Sequence, residues 1–227
     1  MKVLVDCLDM KNKINTLMIL VFLGALAGHA IGGGDDSAPT REYQVKAAFI
    51  YNFIKFIEWP GPAGAEADQK SDENNEPITI GIIGENPFGN TFETVTKKKI
   101  KNKQVVIKHF GGFEKNNIKY REDSKTKYKY KDADALKACQ VLFVSGSESE
   151  YCKEIIDIVK DSYVLTIGEN KDFLKTGGII EFATEQKKVK FAINLIAAEN
   201  AQLKIRSKLL RLAKKVIEKE EDEEENS

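Results

Sequence analysis

The chain has 227 residues, 42% hydrophobic and 31% charged, with 35 basic and 35 acidic side chains. That length suits one sizeable α/β domain with tails, and the balance supplies no global charge that would select nucleic acid or an acidic substrate. The neutrality is uneven: Lys97, Lys98, Lys99, Lys101, Lys103 and Lys108 cluster mid-chain, while Glu218, Glu220, Glu221, Asp222, Glu223, Glu224 and Glu225 come late. Without aromatic interleaving or a nucleic-acid motif, the basic cluster reads as a solvated strand edge or loop.

Met10-Lys11-Asn12-Lys13 is a basic start, Leu17 to Ala27 a short apolar run, and Gly28-His29-Ala30 offers small residues at both cleavage positions. This is the order of a secretory signal peptide, and the run falls short of the roughly 20 residues a membrane span needs. Residues 1–30 are therefore expected to be a cleaved leader with Met10 as the natural start, and 31–41 a flexible lead-in. Export leaves Cys139 and Cys152 in an oxidising compartment, where a bridge is open to them. Cys139 opens a strand and Cys152 sits in the following helix, a separation that favours two buried thiols over a disulfide.

Glu42 to Pro60 shows helical spacing, with Val45, Phe49, Phe53 and Phe56 or Ile57 along one side and Ala48, Tyr51 and Ile54 widening it. Gln44, Lys46, Asn52, Lys55 and Glu58 form a narrow polar strip, and Trp59-Pro60 ends the helix. Residues 61–77 read as a polar loop. Ile78 to Ile83 is a strand covered on both faces; Gly84-Glu85-Asn86-Pro87-Phe88-Gly89 turns into a short helix through Phe92 and Val95. Gln104 to Phe110 is a second strand, and residues 111–131, with three Lys-Tyr pairs, a solvated insertion. A short helix spans Ala133 to Ala138 and a buried strand Val141 to Val144. Ser147 or Ser149 is placed to cap the helix carrying Ile155, Ile156 and Val159. Tyr163 to Ile167 is the next strand. Gly178 to Ala183 and Lys188 to Ile193 alternate about Glu185-Gln186, as an antiparallel hairpin at a sheet edge would. Asn194 to Ala201 is helical, Ser207 to Glu218 a final helix, and residues 218–227 a disordered acidic tail. The whole implies a three-layer α/β/α sandwich over residues 42–217, with a mostly parallel sheet and a C-terminal antiparallel hairpin.

The turn from Gly84 to Gly89 occupies the place where α/β folds bind ligands, yet matches neither a dinucleotide fingerprint nor a phosphate loop. A small-ligand or anion-binding domain, or an enzyme, using that turn is the alternative reading. His109 has no serine or cysteine partner in the sequence, and Asp132 and Asp134 diverge on a helix, so no acid–base pair or nucleophile is visible. No metal set or cofactor motif is expected, and Glu181 is expected to be exposed.

VKAAFIYNFIKFIEWP, GENPFG, CQVLFVS, LTIGE, GGIIEF and VKFAINLIAAENAQLKIRSKLLRLA resemble the YfiR family of exported bacterial proteins, from about Glu42 to Lys214. At the family's usual Ala-Gly-Leu and Ile-Ser-Ser junction, Gln202 stands for the glycine and Arg206 for the first serine. The resemblance implies a periplasmic, non-enzymatic regulator. It would bind the periplasmic sensor region of an inner-membrane signalling protein such as a diguanylate cyclase or kinase, lower cyclic-di-GMP output and biofilm formation, and itself be sequestered by an outer-membrane lipoprotein. The contact surfaces expected on this chain are Glu58-Trp59-Pro60, Asn86-Pro87-Phe88 and the exposed side of the 178–193 hairpin with Glu181. A structural envelope protein that dimerises through that hairpin edge is a third possibility.

Overall fold

The computed structural model describes residues 40–60, 76–97, 99–114, 117–122 and 125–218. The leader, most of the 61–77 loop and nearly all of the acidic tail lie outside them. In chain order the elements are α1 Arg41–Phe56, β1 Ile57–Glu58, β2 Ile78–Ile83, α2 Thr91–Thr96, β3 Val105–Phe110, β4 Asn117–Glu122, β5 Lys125–Tyr130 and α3 Ala133–Lys137. There follow β6 Val141–Val144, a 3₁₀ segment Gly146–Tyr151, α4 Cys152–Val159, β7 Leu165–Gly168, β8 Ile180–Glu185, β9 Lys188–Asn194, α5 Leu195–Asn200, β10 Lys204–Ile205, α6 Ser207–Leu210 and β11 Lys215–Ile217. No helix among the described residues is long and apolar enough to cross a membrane.

Seven strands form one sheet in the order β11-β9-β8-β7-β6-β2-β3. From β3 to β8 all neighbours run parallel; β9 turns back antiparallel to β8, and β11 runs parallel to β9. Strands in such a sheet are buried on both faces, which explains the near-continuous apolar runs of β2 and β6. Ile78, Ile80, Ile82, Val141 and Phe143 face α1, α2, α5 and α6, while Ile83, Leu142 and Val144 face α3 and α4. The three-layer sandwich expected from the pattern is the fold observed.

Several elements differ from expectation. The helix α1 stops at Phe56, and Ile57-Glu58 becomes a strand antiparallel to Lys204-Ile205. Its buried face is Lys46, Ala47, Ile50, Phe53 and Ile54, rotated from the expected one, so Val45 and Phe49 are only partly covered. Residues 111–131 contain a two-stranded ribbon, β4 with β5. Ser147 caps nothing: the position before α4 is Tyr151, and no side chain caps it. The 178–193 hairpin is interior to the sheet, because β11 covers the outer side of β9 at Ala192 to Asn194. That same strand replaces the second half of the expected final helix, whose helical part is the single turn α6. Gln202 has φ +56°, the left-handed conformation a glycine would adopt without strain.

Candidate functional site

Sheet order reverses direction between β2 and β6, and the crevice at their carboxyl ends is where open α/β sheets hold ligands. Here the chain fills it with its own acceptors. Gly84, at φ +91°, leaves the strand beside Ser147, whose Oγ accepts from Glu85 N at 3.0 Å. The buried Glu148 carboxylate accepts from Phe113 N at 2.7 Å and from Ser147 Oγ at 3.1 Å. A Cβ on Gly84 would collide with Ser147 Oγ and lie 2.7 Å from Glu148 Cγ and Oε1 at a φ of +91°, so that position requires glycine. Next to it, Gly146 N donates to Glu169 Oε1 at 3.1 Å. Backbone N–H groups that could hold an anion thus already hold carboxylates, and the local charge is negative. Geometry and electrostatics both disfavour an incoming phosphate or carboxylate.

Glu169 connects this crevice to α1. Lys46 Nζ donates to Glu169 Oε2 at 2.6 Å, pairs with Glu42 Oε1 at 2.6 Å, and lies 4.6 Å from the Tyr43 ring centroid. Tyr43 OH donates to Glu169 Oε1 at 3.2 Å, and Thr184 Oγ1 to Glu42 Oε1 at 2.8 Å. Burial alone would lower the Lys46 pKa, but the hydrogen bonds it donates to Glu169 and Glu42 carry it above the ordinary lysine range. Lys46 in turn holds Glu42 below its usual value. A hollow of about 410 Å³ opens beside the group, floored by Tyr43 and Phe182 and flanked by Glu181 and Lys171. The sequence places Lys46 in the narrow polar strip of this helix, although it shares a face with Ile50 and Phe53 at spacings of four and seven. That spacing was the signal that could have found it.

The residues expected from the sequence do not converge. Phe88 is fully buried against Tyr43, Phe92 and Phe143 and belongs to the core, so it presents no surface anchor. Asn86 is exposed, its Oδ1 accepting from Phe88 N at 3.0 Å, and Pro87 is half-buried. Glu181 is half-buried rather than exposed, with Oε2 accepting from Leu174 N at 3.2 Å. Glu58, Trp59 and Pro60 lie at the opposite, amino end of the strands. There Trp59 Nε1 donates to Tyr163 O at 3.0 Å, and Glu58 pairs with Arg206 at 2.7 Å. Lys101 Nζ donates to Ile57 O at 2.6 Å and sits 5.4 Å from the Trp59 ring; burial, then Arg206, depress its pKa. Tyr163 is 44% exposed beside this half-buried indole. A hollow of about 500 Å³ near that end, between α4 and α5, has Ile156, Val164, Ile179 and Ala197 on its floor and Lys160 and Asp157 at its rim.

Cys139 and Cys152 are buried free thiols. Cys152 Sγ lies 2.9 Å from Asn170 Nδ2. Among the described residues no group of three or more His, Cys, Asp or Glu side chains is placed to hold a metal ion.

These features define an α/β/α domain whose crevice at the carboxyl ends is lined by its own carboxylates and whose amino ends present the half-buried Trp59 beside the exposed Tyr163. A family model described as YfiR/HmsC-like matches residues 43–214, from α1 to the residue before β11. The chain belongs to this YfiR/HmsC-like family. No curated protein matches. Among solved structures, a conserved domain protein from Vibrio cholerae O1 biovar El Tor is similar at TM-score 0.46 and 10% identity, over 77% of this chain and 60% of that one. The ABC domain from Streptococcus pneumoniae in complex with L-Trp is similar at TM-score 0.45 and 11% identity, over 78% and 60%. The chain thus spans about three fifths of each of those proteins.

Proposed function

We propose that this protein is a periplasmic repressor that binds the periplasmic sensor region of an inner-membrane diguanylate cyclase or kinase and lowers its output. The observation that carries this reading is the family match over residues 43–214, which takes in both helical layers and all of the sheet but β11. The self-occupied crevice agrees with action by contact rather than by turnover. Repression requires tighter binding to the inactive form of the target, about 1.4 kcal/mol for each tenfold shift in its population. The contact surface is the amino-end patch of Glu58, Trp59 and Pro60, where a half-buried indole flanked by Lys101 and Arg206 resembles the aromatic and arginine anchors that dominate binding energy. Asn86, Pro87 and Glu181, at the other end of the sheet, form a second face, suited to a further partner such as an outer-membrane lipoprotein. Export by the leader at residues 1–30 places the domain beside both.

The test is capture from crosslinked cell envelopes with the tagged exported protein. A membrane protein with a cyclase or kinase output domain should be enriched over a tag control. Its absence, together with a thermal shift on adding a nucleotide or small anion, would replace this reading by the ligand-binding one.

A further inference from the structure

Strand β3 is an edge of the seven-stranded sheet, and all six of its residues, Val105 to Phe110, pair with β2 on one side. The far edge is β11, only three residues long. Gln104 O accepts from Ile78 N at 2.8 Å and Phe110 O from Gly84 N at 3.1 Å, so the even-numbered residues of this stretch face β2. Val105, Ile107 and His109 therefore turn their N–H and C=O groups to the outside. No described strand pairs with them there, and β4 and β5 pair only with each other. An edge of this length with its ladder groups outward is a template on which an extended segment adds as one more strand.

Charge and burial select the segment. The chain from Lys97 to Phe110 holds six lysines and no acidic residue. Lys101 is engaged with Ile57 O, whereas among the described residues Lys97, Lys99, Lys103 and Lys108 pair with no carboxylate. Val105 is buried in the core and Ile107 packs against it, but Val106 is 39% exposed on the other face, with the exposed Lys108 two residues on. That face offers one apolar and one cationic position to the side chains of an added strand. A second copy of β3 would set lysine-rich edges side by side, which like charge disfavours. We infer that the outer edge of β3 docks an extended acidic segment of a partner protein, its backbone paired to Val105, Ile107 and His109 and its carboxylates facing Lys108 and the lysines that lead into the strand. Docking there does not depend on the regulatory reading above.

Fluorescence anisotropy on the full exported chain tests it, with a labelled, end-blocked hexapeptide of alternating glutamate and valine as the probe. At about 20 mM salt the peptide should bind saturably, and about 300 mM salt should weaken it about tenfold or more, as the screening length falls from roughly 20 Å to 6 Å. A lysine–valine peptide should bind at least about tenfold more weakly. The glutamate peptide methylated at every backbone nitrogen keeps its charge but cannot pair as a strand, and should not bind. His109→Pro removes one outward N–H and leaves the β2 ladder intact, so it should weaken binding about tenfold with an unchanged circular dichroism spectrum. If that variant fails to fold, the methylated peptide decides alone. No saturable binding of the glutamate peptide, or equal binding of the lysine peptide, overturns the inference. So does full binding of the methylated peptide, or of the glutamate peptide by folded His109→Pro, either of which would mark a diffuse basic surface that takes any polyanion.

Discussion

Lys46 and Glu169 form an ion pair at 2.6 Å between α1 and the residue that follows β7, and Lys46 is only 3% exposed. Removing one partner of such a pair leaves the other buried without its counter-charge. Lys46→Met should therefore cost about 3 kcal/mol in guanidinium unfolding. The double variant Lys46→Met, Glu169→Gln should regain at least about 1 kcal/mol of that. Additive losses would show that the two side chains do not act as a pair.

Gln202 occupies the left-handed region at φ +56°, where a side chain costs about 1 kcal/mol that glycine avoids. Gln202→Gly should raise stability by up to that amount. Arg206 precedes α6 without capping it and pairs with the exposed Glu58. Arg206→Ser would exchange a weak surface pair for a cap, leaving stability within about 0.5 kcal/mol. Loss of stability in Gln202→Gly would mean that its side chain contributes more than the strain costs.

Alkaline pH should destabilise the fold early. Burial pushes the Cys139 thiol from 9.0 to about 11 and the Tyr130 hydroxyl from 10.0 to about 12. A group with a higher pKa in the folded chain keeps a proton that the unfolded chain has released, so stability falls as pH rises between the two values. Stability should be level up to about pH 8.5, then fall by up to about 1.4 kcal/mol per pH unit for each group, most steeply between about pH 10 and 11, where the Cys139 and Tyr130 windows overlap. Cys139→Ala should lower the slope of the limb most clearly between about pH 9 and 10, below the Tyr130 window. A curve equally steep in that variant would exclude the Cys139 thiol as its source.

Trp59 is half-buried, with its indole N–H bonded to Tyr163 O. Trp59→Ala should cost about 1–2 kcal/mol of stability, less than a fully buried tryptophan would. Its effect on capture of the membrane partner should be larger, about tenfold or more. Unchanged capture would move the contact away from Glu58-Trp59-Pro60 and towards the Asn86 and Glu181 face.

Long apolar runs made the sheet legible: β2 and β6 fall where their β-branched, doubly buried sequences put them. The face of α1 is not legible from a hydrophobicity count, in which Phe49 and Val45 outweigh Ala47 and Ile50, whereas the fold buries the side that carries Lys46. The ribbon β1–β10 and strand β11 could not be read locally. Their two- and three-residue lengths carry no periodicity, and they form because tertiary neighbours supply the hydrogen bonds. Leu212, inside the span Ser207 to Glu218 that reads as one helix in the sequence, is 63% exposed in the turn between α6 and β11. At the crevice, neither Glu148 nor Glu169 stood out, since a carboxylate that satisfies backbone N–H groups looks the same in sequence as a solvated one.

Cyclic-di-GMP measured in cells that lack this protein bears most directly on the proposed repression. Its level should rise on deletion and return to that of the parent when the exported form is restored, but not when a form lacking residues 1–30 is supplied. A level that is the same with and without the protein would contradict repression of a diguanylate cyclase.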